Sequence, residues 1–251
     1  MDELRLDLDD RIATLTIDRP GRRNALNHAM WSALPGLMAQ VAASPARVLV
    51  VRGTAHFSAG ADISEFATLR SGAEGARRYG EAVHAGERAI ALLPIPTVAA
   101  ITGFCIGGGC EIALACDIRL AAPDARFGIT PAKLGILYSF TSTGQLVATV
   151  GPAWAKQLLC GADLIDAATA LRIGLVNEVC ADVWARTAEL AGTIATRASG
   201  SVRGAKEIVG RIVAGQVAVD DEVAALYDEA VLSADYAEGV AAFLAKRPPN
   251  F

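Results

Sequence analysis

Residues Gly103–Ile118 read GFCIGGGCEIALACDI. The stretch follows an apolar, β-branched run, Thr97 to Ile101, and opens on a turn at Thr102-Gly103. Three glycines, Gly107 to Gly109, lead into an apolar segment, Cys110 to Cys116, interrupted by one acid, Glu111. Glycines at a turn let the backbone come close to a neighbour and leave N–H groups unscreened by side chains. A helix starting here turns its first N–H groups, and the positive end of its dipole, toward whatever lies in front. That suits an anion, or an oxygen that becomes one. Gly108 and Glu111 are three apart and share a helix face. One site could then combine a donor for a developing oxyanion with a carboxylate for proton chemistry. The plainer alternative is a glycine-rich turn into a core helix with Glu111 facing solvent. Two phosphate-binding motifs are excluded: Cys110-Glu111 stands where a P-loop needs Lys-Ser/Thr, and Ile112 occupies the third glycine of GxGxxG.

Outward from this stretch, buried strands and helices alternate, which defines an α/β chain. Leu4, Leu6 and Leu8 alternate with polar residues, and Ile12 to Asp18 forms the second strand of a hairpin. Asn27 caps a helix running to about Ala43, with Pro35 expected to kink it. Val48 to Arg52 is an apolar strand suited to a sheet covered on both faces. A loop, His56 to Ile63, precedes a helix over Ala76 to Leu92. Strands are expected at Thr97–Ile101, Ile118–Ala121 and Arg126–Phe127. From about Thr143 helices dominate: 143–150, 153–160, 166–171, 183–198, 202–213, 220–232 and 238–246, with one strand at 176–179.

The 251 residues are 53% hydrophobic, enough for a sizeable core. The net charge of −4, without a basic block, disfavours nucleic acid as a partner. The five cysteines form no CxxC, and a reduced, cytoplasmic protein is expected. His28, His56 and His84 are too far apart to suggest a metal site. The N-terminal MDELRLDLDD has no apolar signal core, and the apolar region 89–109 is too broken by prolines and glycine for a membrane span.

Four ordered segments carry a resemblance over nearly the whole chain. They are RPGRRNAL (19–26), FSAGADISEF (57–66), the stretch 103–118, and DLIDAATALRIGLVNEV (163–179) together with the terminal FLAKRPPNF. The chain resembles the crotonase (enoyl-CoA hydratase/isomerase) superfamily. The resemblance implies a crotonase-like ββα spiral over residues 1–199 and a helical C-terminal trimerisation region over 200–251, assembled as a homotrimer or a dimer of trimers. It implies an acyl-CoA substrate and no separate cofactor. The N–H groups of Ala61 and Gly108 would form an oxyanion hole for the thioester carbonyl, and Glu111 matches a catalytic glutamate. Arg22 or Arg23, with Ala59 and Ile63, would border the CoA, and Lys246 would reach a CoA phosphate from the same or a neighbouring subunit.

The departure follows Phe127. Two-glutamate hydratases place their second acid where this chain has Pro131, in FGITPAKLGILYSF, and proline cannot exchange a proton. The pattern TPxxLGxxY, Thr130 to Tyr138, is similar to the methylmalonyl-CoA decarboxylase branch, and Tyr138 falls on that branch's tyrosine. The expectation is enolate chemistry with one catalytic Glu, decarboxylase-like or isomerase-like. The alternatives are a hydratase with a substitute for the missing acid, and a non-catalytic acyl-CoA-binding or protein-binding module. A serine hydrolase is disfavoured because GxSxG does not occur.

Overall fold

A computed structural model describes residues 3–251. Leu4–Asp9 (β1) and Ile12–Ile17 (β2) form the antiparallel hairpin expected from their alternation, turning at Asp10 with φ +47°. Asn27 caps His28–Ala43 (α1), its side-chain oxygen accepting from the Met30 N–H at 2.9 Å. The helix continues past Pro35 to Ala43. Val48–Gly53 (β3) follows, then a long loop, a short helix at Phe66–Leu69 (α2) and a long one at Gly72–Ala91 (α3), which starts a turn earlier than expected.

Thr97–Ile101 (β4), Ile118–Ala121 (β6) and Glu178–Val179 (β9) complete a six-stranded sheet of order β1-β2-β3-β4-β6-β9, parallel apart from its first pair. β3 shows why its sequence is apolar throughout. Leu49 and Val51 face the main core, with Trp31 and Leu34 of α1 and Ile90 of α3. Val48 and Val50 face a second cluster with Val98, Leu120 and the helix Val183–Ala195 (α7). Each such side chain contributes about 1.5–3 kcal/mol on burial, so both faces hold the sheet in place.

A smaller sheet sits against the glycine-rich stretch. Phe104–Ile106 (β5) pairs in parallel with Arg126–Gly128 (β7), which pairs antiparallel with Ile165–Asp166 (β8). β5 was not foreseen: three residues between a turn and three glycines leave no periodicity to read. The helix it leads into is Gly108–Ala115 (α4), buried from Gly109 onward. Its C-terminal carbonyls are held by the buried Arg119, which donates to Cys116 O at 2.7 Å and, through Nε, to Leu175 O at 2.7 Å. A cation at a helix C-terminus complements the dipole there.

The C-terminal part is helical: Phe140–Gly161 (α5), broken at Gly151 (φ +74°) before Pro152; Ala167–Arg172 (α6); Ser199–Val213 (α8); Asp221–Leu232 (α9); and Ala234–Leu244 (α10). Lys206 of α8 ties this part to the sheet, pairing with Asp117 at 2.8 Å and donating to Ile95 O at 2.9 Å. Arg11 donates to the Phe251 carbonyl at 2.9 Å. Among the described residues, no helix is long and apolar enough to cross a membrane.

Candidate active site

The loop between β3 and α2 is fixed from both sides before it reaches the site. Ser58 N–H donates to Phe104 O at 2.9 Å, and Ile106 N–H to Ser58 O at 2.9 Å. The Ser58 hydroxyl donates to Asn24 O at 2.7 Å and accepts from Gly60 N–H at 3.0 Å. Leu26 N–H donates to Gly60 O at 2.7 Å and Asp62 N–H to Leu26 O at 2.8 Å. Those two bonds take up the groups on either side of Ala61. The pleat therefore turns the N–H of Ala61 the other way, toward α4.

At α4, Gly107 N–H donates to Gly128 O at 2.8 Å, and Gly107 adopts φ +52°, ψ −115°, a region that favours glycine. The turn leaves Gly108 as the first helical residue, with no intrahelical acceptor for its N–H. A Cβ built on Gly108 would lie 3.3 Å from Ala61 N, and one on Gly60 2.9 Å from Gly108 N. The two amides are thus neighbours. Among the described residues, neither donates to another group of the protein.

One turn on, Glu111 is 8% exposed, so the solvent-facing reading of this acid does not hold. It lines a cavity of about 170 Å³ together with Ala61, Gly108 and Tyr138. Ala59, Ile63, Thr130 and Pro131 are on the same wall. The Tyr138 hydroxyl donates to Gly107 O at 3.4 Å, and burial raises its phenol well above the usual range, so it stays protonated.

The expectation of one acid in the site is corrected here. Glu87, on α3, is 1% exposed and lines the same cavity, with its carboxyl within hydrogen-bonding reach of Glu111. The Ser142 hydroxyl, near the start of α5, lies 3.1 Å from each Glu87 oxygen. Burial, then the charge and hydrogen bond of Glu111, push Glu87 up to about 9, against the pull of Ser142. Burial also raises Glu111, while its hydrogen bonds to Glu87 and Ser142 act the other way. Burial raises both carboxyls, and the charge of Glu111 raises Glu87 further, so of the two Glu87 holds a proton the more tightly.

Arg70 is stacked on the Phe66 ring at 4.6 Å and lines the cavity as well. Arg22 and Arg23 are exposed and do not line the cavity. Arg23 nevertheless adjoins Ala59, whose N–H donates to Arg23 O at 3.0 Å, and its guanidinium lies over Phe104 at 5.3 Å. Lys246 is exposed beyond α10, outside the cavity wall. Asp62, buried beneath the loop, accepts from Ser64 and pairs with Arg19 at 2.6 Å. It orders the loop, as its position beside Ala61 suggests. The sequence reading missed Glu87 and Ser142. A signal was present for Glu87: Tyr79, Gly86 and Ile90 share its face, which puts an acid on the buried stripe of an amphipathic helix.

The fold and the paired amides beside a buried acid define the crotonase superfamily. A profile of the family described as enoyl-CoA hydratase/isomerase matches residues 7–251, and the chain belongs to that family. It is 37% identical to a crotonyl-CoA hydratase of Syntrophomonas wolfei, covering 98% of this chain and 96% of that protein. It is 36% identical to a short-chain-enoyl-CoA hydratase of Clostridium acetobutylicum, covering 96% and 94%. An enoyl-CoA hydratase/carnithine racemase of Magnetospirillum magneticum superimposes with a TM-score of 0.96 at 37% identity, covering 100% of this chain and 96% of that one.

Proposed function

We propose that the chain adds water across the Cα=Cβ bond of a 2-enoyl-CoA thioester, or removes it, through an enolate held by the N–H groups of Ala61 and Gly108. The observation that carries this reading is the adjacency of those two amides, free of protein acceptors, with Glu111 on the wall of the same cavity. As water adds, negative charge moves from the β-carbon side onto the thioester oxygen. Two fixed donors stabilise it there, and one such donor is worth about 3–4 kcal/mol in comparable sites. Glu111, the carboxylate, removes the proton from water as its oxygen bonds to Cβ. The names of the hydratase relatives support water as the co-substrate. Pro131 argues for one-acid chemistry, and the Glu87 carboxyl beside Glu111 supports the hydratase alternative with a substitute acid.

The CoA portion is assigned to Ala59 and Ile63 of the cavity lining, and its phosphates to Arg22 and Arg23. Lys246 is assigned to a CoA phosphate. A second reading, decarboxylation of a methylmalonyl-type thioester, rests on the Tyr138 hydroxyl beside Gly107. The test is turnover of crotonyl-CoA and methylmalonyl-CoA by the wild type and Glu111→Gln. The expected result is hydration of crotonyl-CoA that falls at least 100-fold in Glu111→Gln. Release of CO2 from methylmalonyl-CoA without hydration would favour the second reading, and turnover of neither would defeat both.

A further inference from the structure

Glu87 is a buried acid with no arginine or lysine paired to it among the described residues. Removing a lone carboxylate from water costs several kcal/mol, so such a group is kept neutral or removed unless it has a use. Its neighbours describe a use. Glu111 faces it from α4, the Ser142 hydroxyl of α5 lies 3.1 Å from each of its oxygens, and the two carboxyls line the same cavity as Ala61 and Gly108. Three other titratable groups face the pair. His84 Nδ1 is 4.0 Å away and half exposed, Arg70 acts on Glu111 by charge alone, and the Tyr138 phenol stays protonated.

We propose that Glu87 is a catalytic residue: it forms a proton-sharing pair with Glu111 and supplies from α3 the second acid that position 131 cannot provide. The inference rests on the thioester reading above. In the hydration direction, Glu111 takes one proton from water while the water oxygen bonds to Cβ and the Cα=Cβ electron pair moves into the thioester carbonyl. The enolate then collapses, and Cα takes the proton of the Glu87 carboxyl. Glu87 is left as the carboxylate and Glu111 as the acid. Transfer of that proton across their hydrogen bond restores the starting state. One water has added, and the pair again holds one proton. Ser142 is a positioning residue that holds the Glu87 carboxyl through contacts to both of its oxygens.

The test separates proton transfer at Cα from activation of water. Hydration needs both acids, whereas exchange of the α-protons of butyryl-CoA in D2O needs only the amides and the group that serves Cα, Glu87. Glu87→Gln keeps the shape and a hydrogen-bond donor but has no proton to give. It is expected to lower kcat for crotonyl-CoA hydration about 100-fold or more, with KM within about threefold. Its α-exchange should fall together with hydration, and the alkaline limb of the kcat profile should disappear. Glu87→Asp, which retains an acid, should recover part of both rates, and Glu111→Gln should lose hydration while keeping α-exchange. Hydration by Glu87→Gln within threefold of wild type, with the alkaline limb intact, would overturn the proposal while leaving the thioester reading standing. A wild type that neither hydrates crotonyl-CoA nor exchanges butyryl-CoA would overturn both.

Discussion

Two buried acids in this chain are driven in opposite directions, and their surroundings say why. Asp62 accepts from Ser64 and is paired with Arg19, which together hold its carboxyl down at about 2. Glu87 is buried and faces another carboxyl, which together raise it to about 9. The consequences for stability have opposite signs. Asp62 stabilises the fold above its unfolded value near 4, and that contribution is lost as pH falls from about 4 to about 2. Asp62→Asn should therefore cost about 2 kcal/mol at pH 7, the difference in melting temperature from wild type shrinking as pH approaches 2. Glu87 binds its proton more tightly folded than unfolded, so stability declines as pH rises from about 4.5 toward 9. Glu87→Gln should melt higher than wild type at pH 8 and equal to it near pH 4.5. A melting-temperature series across pH checks both, and parallel curves for either variant would refute the corresponding shift. A stabilised but slower Glu87→Gln would be the signature of a site that trades stability for chemistry.

Elements, rather than single residues, set the distance between the two amides. α4 packs so closely under the oxyanion loop that a Cβ on Gly109 would lie 2.4 Å from Ser58 O, a backbone atom fixed by the Ile106 N–H. Replacing a helical glycine by alanine gains up to about 1 kcal/mol in propensity, whereas forcing atoms into a packed core costs about 1–3 kcal/mol. The clash should win. Gly109→Ala is expected to lower both the melting temperature and kcat/KM, the latter at least tenfold. Gly36→Ala, in an exposed helical position with nothing within 4 Å, should be neutral or stabilising. Equal behaviour of the two variants would show that the close approach is unimportant. The same comparison shows what a sequence can reveal. β1, β2, β3 and β4 were legible because their side chains alternate or are apolar throughout, and α1 because Asn27 caps it. The Ala61 loop and α4 were legible because glycines and a lone acid stand out from their surroundings. β5 was not, because its three residues are too few to show a period. The Glu87–Glu111 pair was not, because it exists only where α3 packs across α4, a contact that no local pattern records.

At the scale of the molecule, the C-terminal helices leave large apolar side chains uncovered: Val213 at 65%, Leu232 at 85%, Phe243 at 83% and Leu244 at 75% exposure. Leu137, which lines the cavity, and Phe140 at the start of α5 are each 95% exposed. Apolar surface of this extent is a mark of association. The family resemblance implies trimers, or pairs of trimers, and such an assembly is the predicted way to cover this surface. Light scattering after gel filtration should give three or six times the 26.0 kDa chain mass, and a monomer at micromolar concentration would contradict it. The proposed reaction depends on one arrangement, in which the sheet and its helices bring the Ala61 and Gly108 amides side by side so that both can donate to one thioester oxygen. The most direct test is the infrared carbonyl band of crotonyl-CoA, labelled with carbon-13 at the thioester carbon and bound to Glu111→Gln so that it does not turn over. Polarisation by the Ala61 and Gly108 N–H groups predicts a band at lower wavenumber than in free crotonyl-CoA. A band that stays at its free position on binding would contradict the account.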